Sequence, residues 1–161
     1  IMSDHLVESY DKQLELINSN LVKMGGLVEQ QVKDSLKALD EKDTEFAEEI
    51  LKKDDKIDNL EKDIYALAYK IIAMRQPMAN DLRTVVSALS IANDLERMGD
   101  HATNVAKRVA NVKVSMPSQS ISKIVQMGDD VQKMIKNVLD AFIKMSEKKA
   151  LNVWDLSLIH I

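Results

Sequence analysis

Residues 80–109 read NDLRTVVSALSIANDLERMGDHATNVAKRV, and the spacing of their apolar positions decides the fold class. Apolar or small side chains recur every three or four positions, which places them on one face of a long helix. The helix is expected to run over residues 80–112. Its apolar face contains four small residues that let a neighbouring helix approach closely, namely Ala92, Gly99, Ala102 and Ala106.

Two further helical patterns precede this one. The first spans about residues 4–40, with Asp4 as its expected N-cap, and the second starts near Asp43 and continues as one helix to Pro77. Proline ends it because it disfavours helical geometry in the preceding residue and has no amide hydrogen to donate. Three amphipathic helices with short links predict an all-α protein whose residues 4–113 form an antiparallel three-helix bundle.

Composition narrows the possible functions. The net charge of −4 provides no basic face for nucleic acid, and the absence of cysteine excludes disulfides and thiolate metal sites. Residues 66–74 form the most apolar segment, which is too short to cross a bilayer. No signal-peptide pattern opens the chain, so we expect a cytoplasmic location and no membrane insertion.

A fourth helix is expected from Pro117 to about residue 146, and it repeats the first at an offset of 103 residues. The pair Met24-Gly25 recurs as Met127-Gly128. The other identities at this offset are Val28/Val131, Lys33/Lys136, Leu36/Leu139, Ala38/Ala141 and Ala47/Ala150. Two full copies need roughly 210 residues, so residues 116–154 are expected to form an incomplete second bundle. Residues 155–161 form an atypical tail that is expected to expose apolar side chains.

Two acidic pairs are the strongest candidates for chemistry. Asp54 and Asp58 lie in the second helix, and Glu96 and Asp100 lie in the third, and the members of each pair are four positions apart. This spacing places both carboxylates of a pair on one side of a helix. Because the two helices are consecutive and antiparallel, both pairs are expected along one groove, with Glu61 one turn further on. Clustered carboxylates suit hard or borderline cations such as Mg²⁺, Mn²⁺ or iron.

The same spacing also describes an ordinary solvated helix face. Glu41, Glu45 and Glu49 repeat it elsewhere in a chain with 26 acidic residues. A structural or interaction bundle without metal therefore remains an open alternative. Asp81 and Arg83 open the third helix, where Asp81 suits a helix cap and Arg83 suits a partner or an anion.

Catalytic patterns receive less support. The histidines, His5, His101 and His160, form no Glu-x-x-His unit, and His101 is expected to face solvent. A metal-dependent phosphate hydrolase would need a water-activating base and an open metal position, and the sequence indicates neither. The nine methionines fall mostly at helical spacing and are expected to fill the core.

Four segments resemble signatures of the PhoU family, in the correct order and spacing. The most specific is residues 92–106, ANDLERMGDHATNVA. The others are DDKIDNLE at residues 54–61, QPMANDLR at residues 76–83 and MGGLVE at residues 24–29. The resemblance extends from residue 4 to about residue 153. It implies a pair of three-helix bundles whose acidic motifs bind multinuclear clusters of metal ions, with iron, zinc, manganese or magnesium as the possible metals.

Carried onto this chain, the resemblance implies metal ligands at Asp54 with Asp58 and at Glu96 with Asp100, and Asn104 is a lesser candidate. It also implies a cytoplasmic, often homodimeric adaptor rather than an enzyme. Such an adaptor links the ATPase subunit of the phosphate ABC transporter to a phosphate sensor histidine kinase, and it exerts negative regulation when phosphate is plentiful. At offset 103, the positions of Asp54 and Asp58 hold Ser157 and Ile161, so a second metal cluster is not expected.

Overall fold

The computed structural model describes residues 2–53, 55–111 and 117–159. These residues form six helices and no strand, which confirms the predicted all-α fold. The helices are α1 (Met2–Glu41), α2 (Thr44–Leu51), α3 (Asp55–Arg75), α4 (Asn80–Asn111), α5 (Ser118–Ile143) and α6 (Glu147–Ile159). Nowhere in this described part does a helix have the length and apolar character needed to cross a bilayer.

Helices α1, α3 and α4 pack as the predicted three-helix bundle. A short turn reverses the chain between α3 and α4, so α3 runs antiparallel to α4. The four small residues of α4 are buried, as predicted. The bundle core is aliphatic and includes Ile17, Leu21, Met24 and Val28 from α1, Ile57, Leu60 and Ile64 from α3, and Val85, Ala88 and Leu95 from α4.

The prediction of one continuous second helix was wrong. The helix stops at Leu51 and α3 begins at Asp55, and residues 52–56 are all charged, so no apolar side chain spans the break. Ala47 of α2 belongs to a second core cluster, formed with α1, α4 and α5, whereas α3 contributes to the main core. The packing of α2 and α3 in two different clusters therefore decides where the helix breaks, although the apolar spacing continues across residues 52–56.

Three other predicted helix ends are confirmed. Asp43 caps α2 by accepting a hydrogen bond from the amide of Phe46 at 2.9 Å. Helix α3 ends at Arg75, two residues before Pro77, and α4 begins at Asn80, as expected. The exception is the first helix, which begins at Met2 rather than at the predicted cap, Asp4.

The predicted fourth helix ends at Ile143, close to the expected end, and α6 begins at Glu147 after a tight turn. This turn repeats the one after α1 at the offset of 103 residues. Lys42 and Met145, the corresponding residues, both adopt positive φ, at 55° and 47°. The amide hydrogen bonds that close the two turns correspond as well, from Asp43 to Ala38 at 3.0 Å and from Ser146 to Ala141 at 2.9 Å. Both turns therefore use the same left-handed C-terminal cap.

Helices α1 and α5 pack antiparallel through reciprocal glycine contacts. A side chain added at Gly25 would collide with Leu139, and one added at Gly128 would collide with Leu36. Gly128 and Leu139 are the 103-residue counterparts of Gly25 and Leu36. The repeated residues therefore meet across a local two-fold axis. Gly25 is therefore closely packed, whereas Gly26 has open space around it.

The prediction that methionines fill the core was wrong for most of those described. Met24 is fully buried, but four others are largely exposed: Met74 at 66%, Met78 at 80%, Met127 at 60% and Met145 at 85%. Two of these flank the α3–α4 turn, and Met145 lies in the α5–α6 turn. Met127 has the same helical spacing as buried Met24, but the described residues leave its side of α5 exposed.

The predicted boundary between the two bundles falls in residues 112–116, outside the described residues. Helix α6 extends to Ile159, so it includes most of the predicted tail. Asp140 joins α6 to α5 by an ion pair with Lys149 at 3.7 Å. Leu156 is 39% exposed, as expected for the tail, and His160 lies beyond the described part.

Candidate functional site

Three of the four predicted metal ligands lie on the neighbouring helices α3 and α4. Asp58 of α3 and Glu96 of α4 are half-buried, whereas Asp100 of α4 is exposed. Asp54 falls outside the described residues. The lesser candidate Asn104 is exposed, one turn beyond Asp100. Both acidic stretches therefore lie beside the interface of α3 and α4, but their carboxylates differ in solvent access.

Gly99 allows α3 and α4 to approach closely at this level. A Cβ atom at Gly99 would lie 2.9 Å from Cδ1 of Ile57, so a larger residue would require the Ile57 side chain or the helix to shift. Ile57 precedes Asp58, and Gly99 precedes Asp100. The close contact thus sets the separation of the two helices at the acidic residues.

A buried polar side chain, Gln31 of α1, holds α4 in register at the same point. Its side-chain amide donates to the carbonyl oxygen of Gly99 at 3.3 Å and to the hydroxyl oxygen of Thr103. Buried amides require such partners, so this contact fixes α4 along α1. Sequence reasoning missed Gln31, although a glutamine three residues after the buried Val28 was a visible signal.

Glu61 shows that the site is electronegative. Burial raises the pKa of its carboxyl group, and the negative charge of Asp58 raises that pKa further. Lys62 acts in the opposite direction but is the smallest of these effects. Like charges at short range disfavour each other's ionised form, so a cation bound nearby would be stabilised.

The charges that act on Tyr65 indicate that the two acidic stretches face the same side of the bundle. Burial raises the pKa of its phenol, and the charges of Glu61, Tyr69 and Glu96 raise it further. Glu61 lies on α3 and Glu96 on α4, so carboxylates from both helices act on one hydroxyl group. The ring of Tyr65 packs edge-on against Tyr69, with centroids 5.9 Å apart. Sequence reasoning did not single out Tyr65, which lies one helical turn after Glu61.

The donor chemistry suits a metal, but the side-chain arrangement is open. Carboxylate oxygens are the ligands that hard cations prefer. Among the residues that the structure describes, no three acidic or histidine side chains converge closely enough to hold an ion. Coordination would therefore require rotation of Asp58, Glu61 or Glu96, whose helices are already held side by side.

Asp81 and Arg83 both lie at the start of α4 but have different surroundings. Asp81 is exposed and acts on Tyr10 of α1, where burial is the larger cause of a raised phenol pKa. Arg83 is exposed and lines a cavity of about 480 Å³ between α1, α4 and α5. His101 is exposed, as predicted.

The fold and this site can be compared with known proteins. A family model described as the PhoU domain matches residues 21–109, which include all four predicted metal ligands. The chain belongs to the PhoU family. A PhoU homolog of Caulobacter vibrioides, named a phosphate-specific transport system accessory protein, is 37% identical over 154 residues. That alignment covers 95% of this chain and 67% of the relative.

Other members of the PhoU family support the same assignment. A relative from Clostridium acetobutylicum with the same name is 39% identical, over 89% of this chain and 66% of its own length. The crystal structure of PhoU from Pseudomonas aeruginosa superposes with a TM-score of 0.80 at 37% identity. The match covers 89% of this chain and 69% of the Pseudomonas aeruginosa chain. The chain thus spans about two thirds of the length of these family members.

Proposed function

We propose that this chain is an accessory regulator of phosphate transport that restrains phosphate uptake and the starvation response when phosphate is plentiful. The main support is its similarity to two phosphate-specific transport system accessory proteins, which covers 95% of this chain for one and 89% for the other. The matching PhoU fold supports the same proposal, because the similarity extends from sequence to the packing of the bundle.

The proposed mode of action is that of a non-enzymatic adaptor in the cytoplasm. Its proposed partners are the ATPase subunit of the phosphate ABC transporter, a phosphate sensor histidine kinase and a second copy of the chain. An adaptor acts through exposed side chains, and Asp81 and Arg83 are exposed at the start of α4. Arg83 in particular offers a planar, permanently charged group suited to an acidic partner surface.

Complementation tests this function. The chain is expressed in a bacterium that lacks its own PhoU-family gene and carries a reporter driven by a phosphate-starvation promoter. We expect repression of the reporter in phosphate-rich medium, and weaker repression by Arg83→Glu. Lys107→Glu, another exposed cation of α4, is the matched control and should repress normally. Reporter activity equal to that of the empty vector would contradict the proposed role.

We also propose that the acidic side of α3 and α4 binds a metal ion, with Asp58, Glu96 and Asp100 as ligands, together with Asp54. Support comes from Glu61, whose pKa is raised by burial and by Asp58, and from Tyr65, whose pKa is raised by burial, Glu61 and Glu96. A bound cation would offset this concentration of negative charge. Its role would be to hold the two helices together at the surface that partners meet.

Metal analysis of the purified protein tests these ligands. We expect iron, zinc, manganese or magnesium to be retained after dialysis, and to be lost in the double variant Asp58→Ala with Asp100→Ala. Helicity should be unchanged because neither residue belongs to the apolar core. Glu45→Ala with Glu49→Ala removes two exposed acids at the same spacing and should retain the metal. Equal metal content in both double variants would refute the ligand assignment.

A further inference from the structure

The outer side of the helix pair α3 and α4 is open in the described part of the chain. There, the backbone of α3 packs closely only on α1 and α4. Helix α2 meets α4 in the cluster that contains Ala106 and Val109, near the end of α4 and away from this side. The pair belongs to the first copy of the repeat, in which α1 already has both of its covering helices. The exposure of this side therefore has a different origin from that of α5.

Two stripes of side chains form the walls of a groove between α3 and α4. The stripe on α3 contains positions 58, 61, 65, 69 and 72, and the stripe on α4 contains positions 82, 86, 89, 93, 96 and 100. Spacings of three or four residues keep each stripe on one side of its helix. The stripes face each other, because the charges of Glu61 on α3 and Glu96 on α4 both raise the pKa of Tyr65. We call these positions the α3–α4 groove.

The α3–α4 groove is apolar at one end and acidic at the other. The helices are antiparallel, so the end of α3 lies beside the beginning of α4. At this end, positions 65, 69, 72, 82, 86 and 89 hold only tyrosine, isoleucine, leucine and valine. The other end holds the four acidic residues of the groove, which are Asp58, Glu61, Glu96 and Asp100. None of the groove positions holds lysine or arginine.

The apolar end has a packed floor and an exposed rim. Its floor consists of half-buried side chains that pack against the main core, namely Tyr65, Ile72 and Leu89. On its rim, Tyr69 is 58% exposed, Val86 48% and Leu82 39%. Large apolar side chains that are exposed side by side, next to polar residues, are typical of a surface that another protein covers.

We propose that the α3–α4 groove binds an amphipathic helix of a partner protein, whose contact face is apolar in one half and carries lysine or arginine in the other. The apolar half covers Tyr69, Leu82 and Val86, and the cations lie against the carboxylates at the acidic end. Helices commonly dock in grooves of this kind, and complementary charge fixes their register. The inference names a surface for the adaptor role proposed above and rests on that role for its biological setting.

The length of the groove sets the length of the docked helix. From Asp58 to Ile72, α3 rises by about 21 Å, at about 1.5 Å per residue. A helix of about 14 residues, or roughly four turns, spans the same distance. Two of its turns lie against the apolar end and two against the acidic end.

A synthetic peptide tests the inference by fluorescence anisotropy with the whole chain. The labelled probe has about 14 residues, with leucine on one face of two turns and arginine on the same face of the other two. Both orders of the two halves are made. We expect saturable binding of at least one order, and none when glutamate replaces arginine or serine replaces leucine. EDTA in the buffer prevents a bound metal ion from competing with the arginines.

One pair of double variants tests the apolar end. Leu82→Ser with Val86→Ser is expected to weaken peptide binding by about tenfold or more, because two apolar contacts are lost. Helicity should be unchanged, since both side chains are exposed. Leu16→Ser with Val22→Ser is the matched control and should bind as the wild type does. It removes two apolar side chains of α1 that are 50% and 39% exposed and lie outside the groove.

A second pair tests the acidic end. Asp58→Asn with Glu96→Gln should weaken binding of the peptide and reduce its dependence on salt concentration. Glu45→Gln with Glu49→Gln removes the same number of charges from α2 and should leave both unchanged.

Several outcomes would overturn the groove. They are the absence of peptide binding, equal weakening by the groove and control variants, and a change in the molar mass of the chain with Leu82→Ser and Val86→Ser, which would place a second copy on this face. The reporter assay decides the proposed function separately. Repression without peptide binding would overturn the groove alone, whereas specific peptide binding by a chain that does not repress would support the groove and contradict only the regulatory role.

Discussion

At the scale of single residues, Glu61 links the fold to the acidic site. Its carboxyl group has a higher pKa in the folded chain than the usual 4.5, first because it is partly buried and then because Asp58 is negative. A group whose pKa rises on folding binds its proton more tightly in the folded state. The contribution of Glu61 to stability is therefore fully present below the usual pKa and is lost as the pH rises through the raised value.

Glu61→Gln should remove this dependence. We expect a higher free energy of unfolding than for the wild type at pH 7, and a smaller difference at pH 4, as measured by urea denaturation. Glu45→Gln, at an exposed acid of α2, should leave the pH profile as it is in the wild type. A wild-type profile for Glu61→Gln would show that its surroundings do not disfavour the charged form.

At the scale of helices, adjacent glycines in α1 have opposite roles. Gly26→Ala should raise the free energy of unfolding by about 0.5–1 kcal/mol, because alanine favours a helix and nothing lies within 4 Å of the new methyl group. Gly25→Ala should lower it by about 1–3 kcal/mol, because Leu139 of α5 occupies that space. Thermal and urea unfolding of the two variants measures the difference.

Leu139 provides the control for this helix contact. Combining Gly25→Ala with Leu139→Ala should cost less than the sum of the single changes, since the clash disappears when Leu139 is shortened. Additive losses, or equal stability of the two glycine variants, would contradict the packing of α5 on α1.

The break between α2 and α3 also belongs to this scale. The apolar spacing continues from Ile50 to Ile57, and lysine and aspartate do not stop a helix by themselves. The direction of the chain changes because Ala47 and Ile50 pack into the cluster formed with α4 and α5, whereas Ile57 packs into the main core. Local propensity contains no information about that choice.

At the scale of the whole molecule, the repeat organises both cores. Helices α1 and α5 and the turns that follow them correspond position by position, from Gly25 and Gly128 to the caps at Asp43 and Ser146. In the first copy, α3 and α4 complete the bundle. Within the described residues, the corresponding face of α5 exposes Met127 and Val131.

The sequence by itself determined the helical class, the apolar faces of α1 and α4, the end of a helix before Pro77 and the 103-residue repeat. These features depend on local periodicity and backbone chemistry, which act over a few residues at a time. Only the tertiary structure decided the break after Leu51 and the position of Tyr65, where the charges of both Glu61 and Glu96 act on its hydroxyl group. It also decided the exposure of Met127, since each of these depends on which distant helix lies alongside.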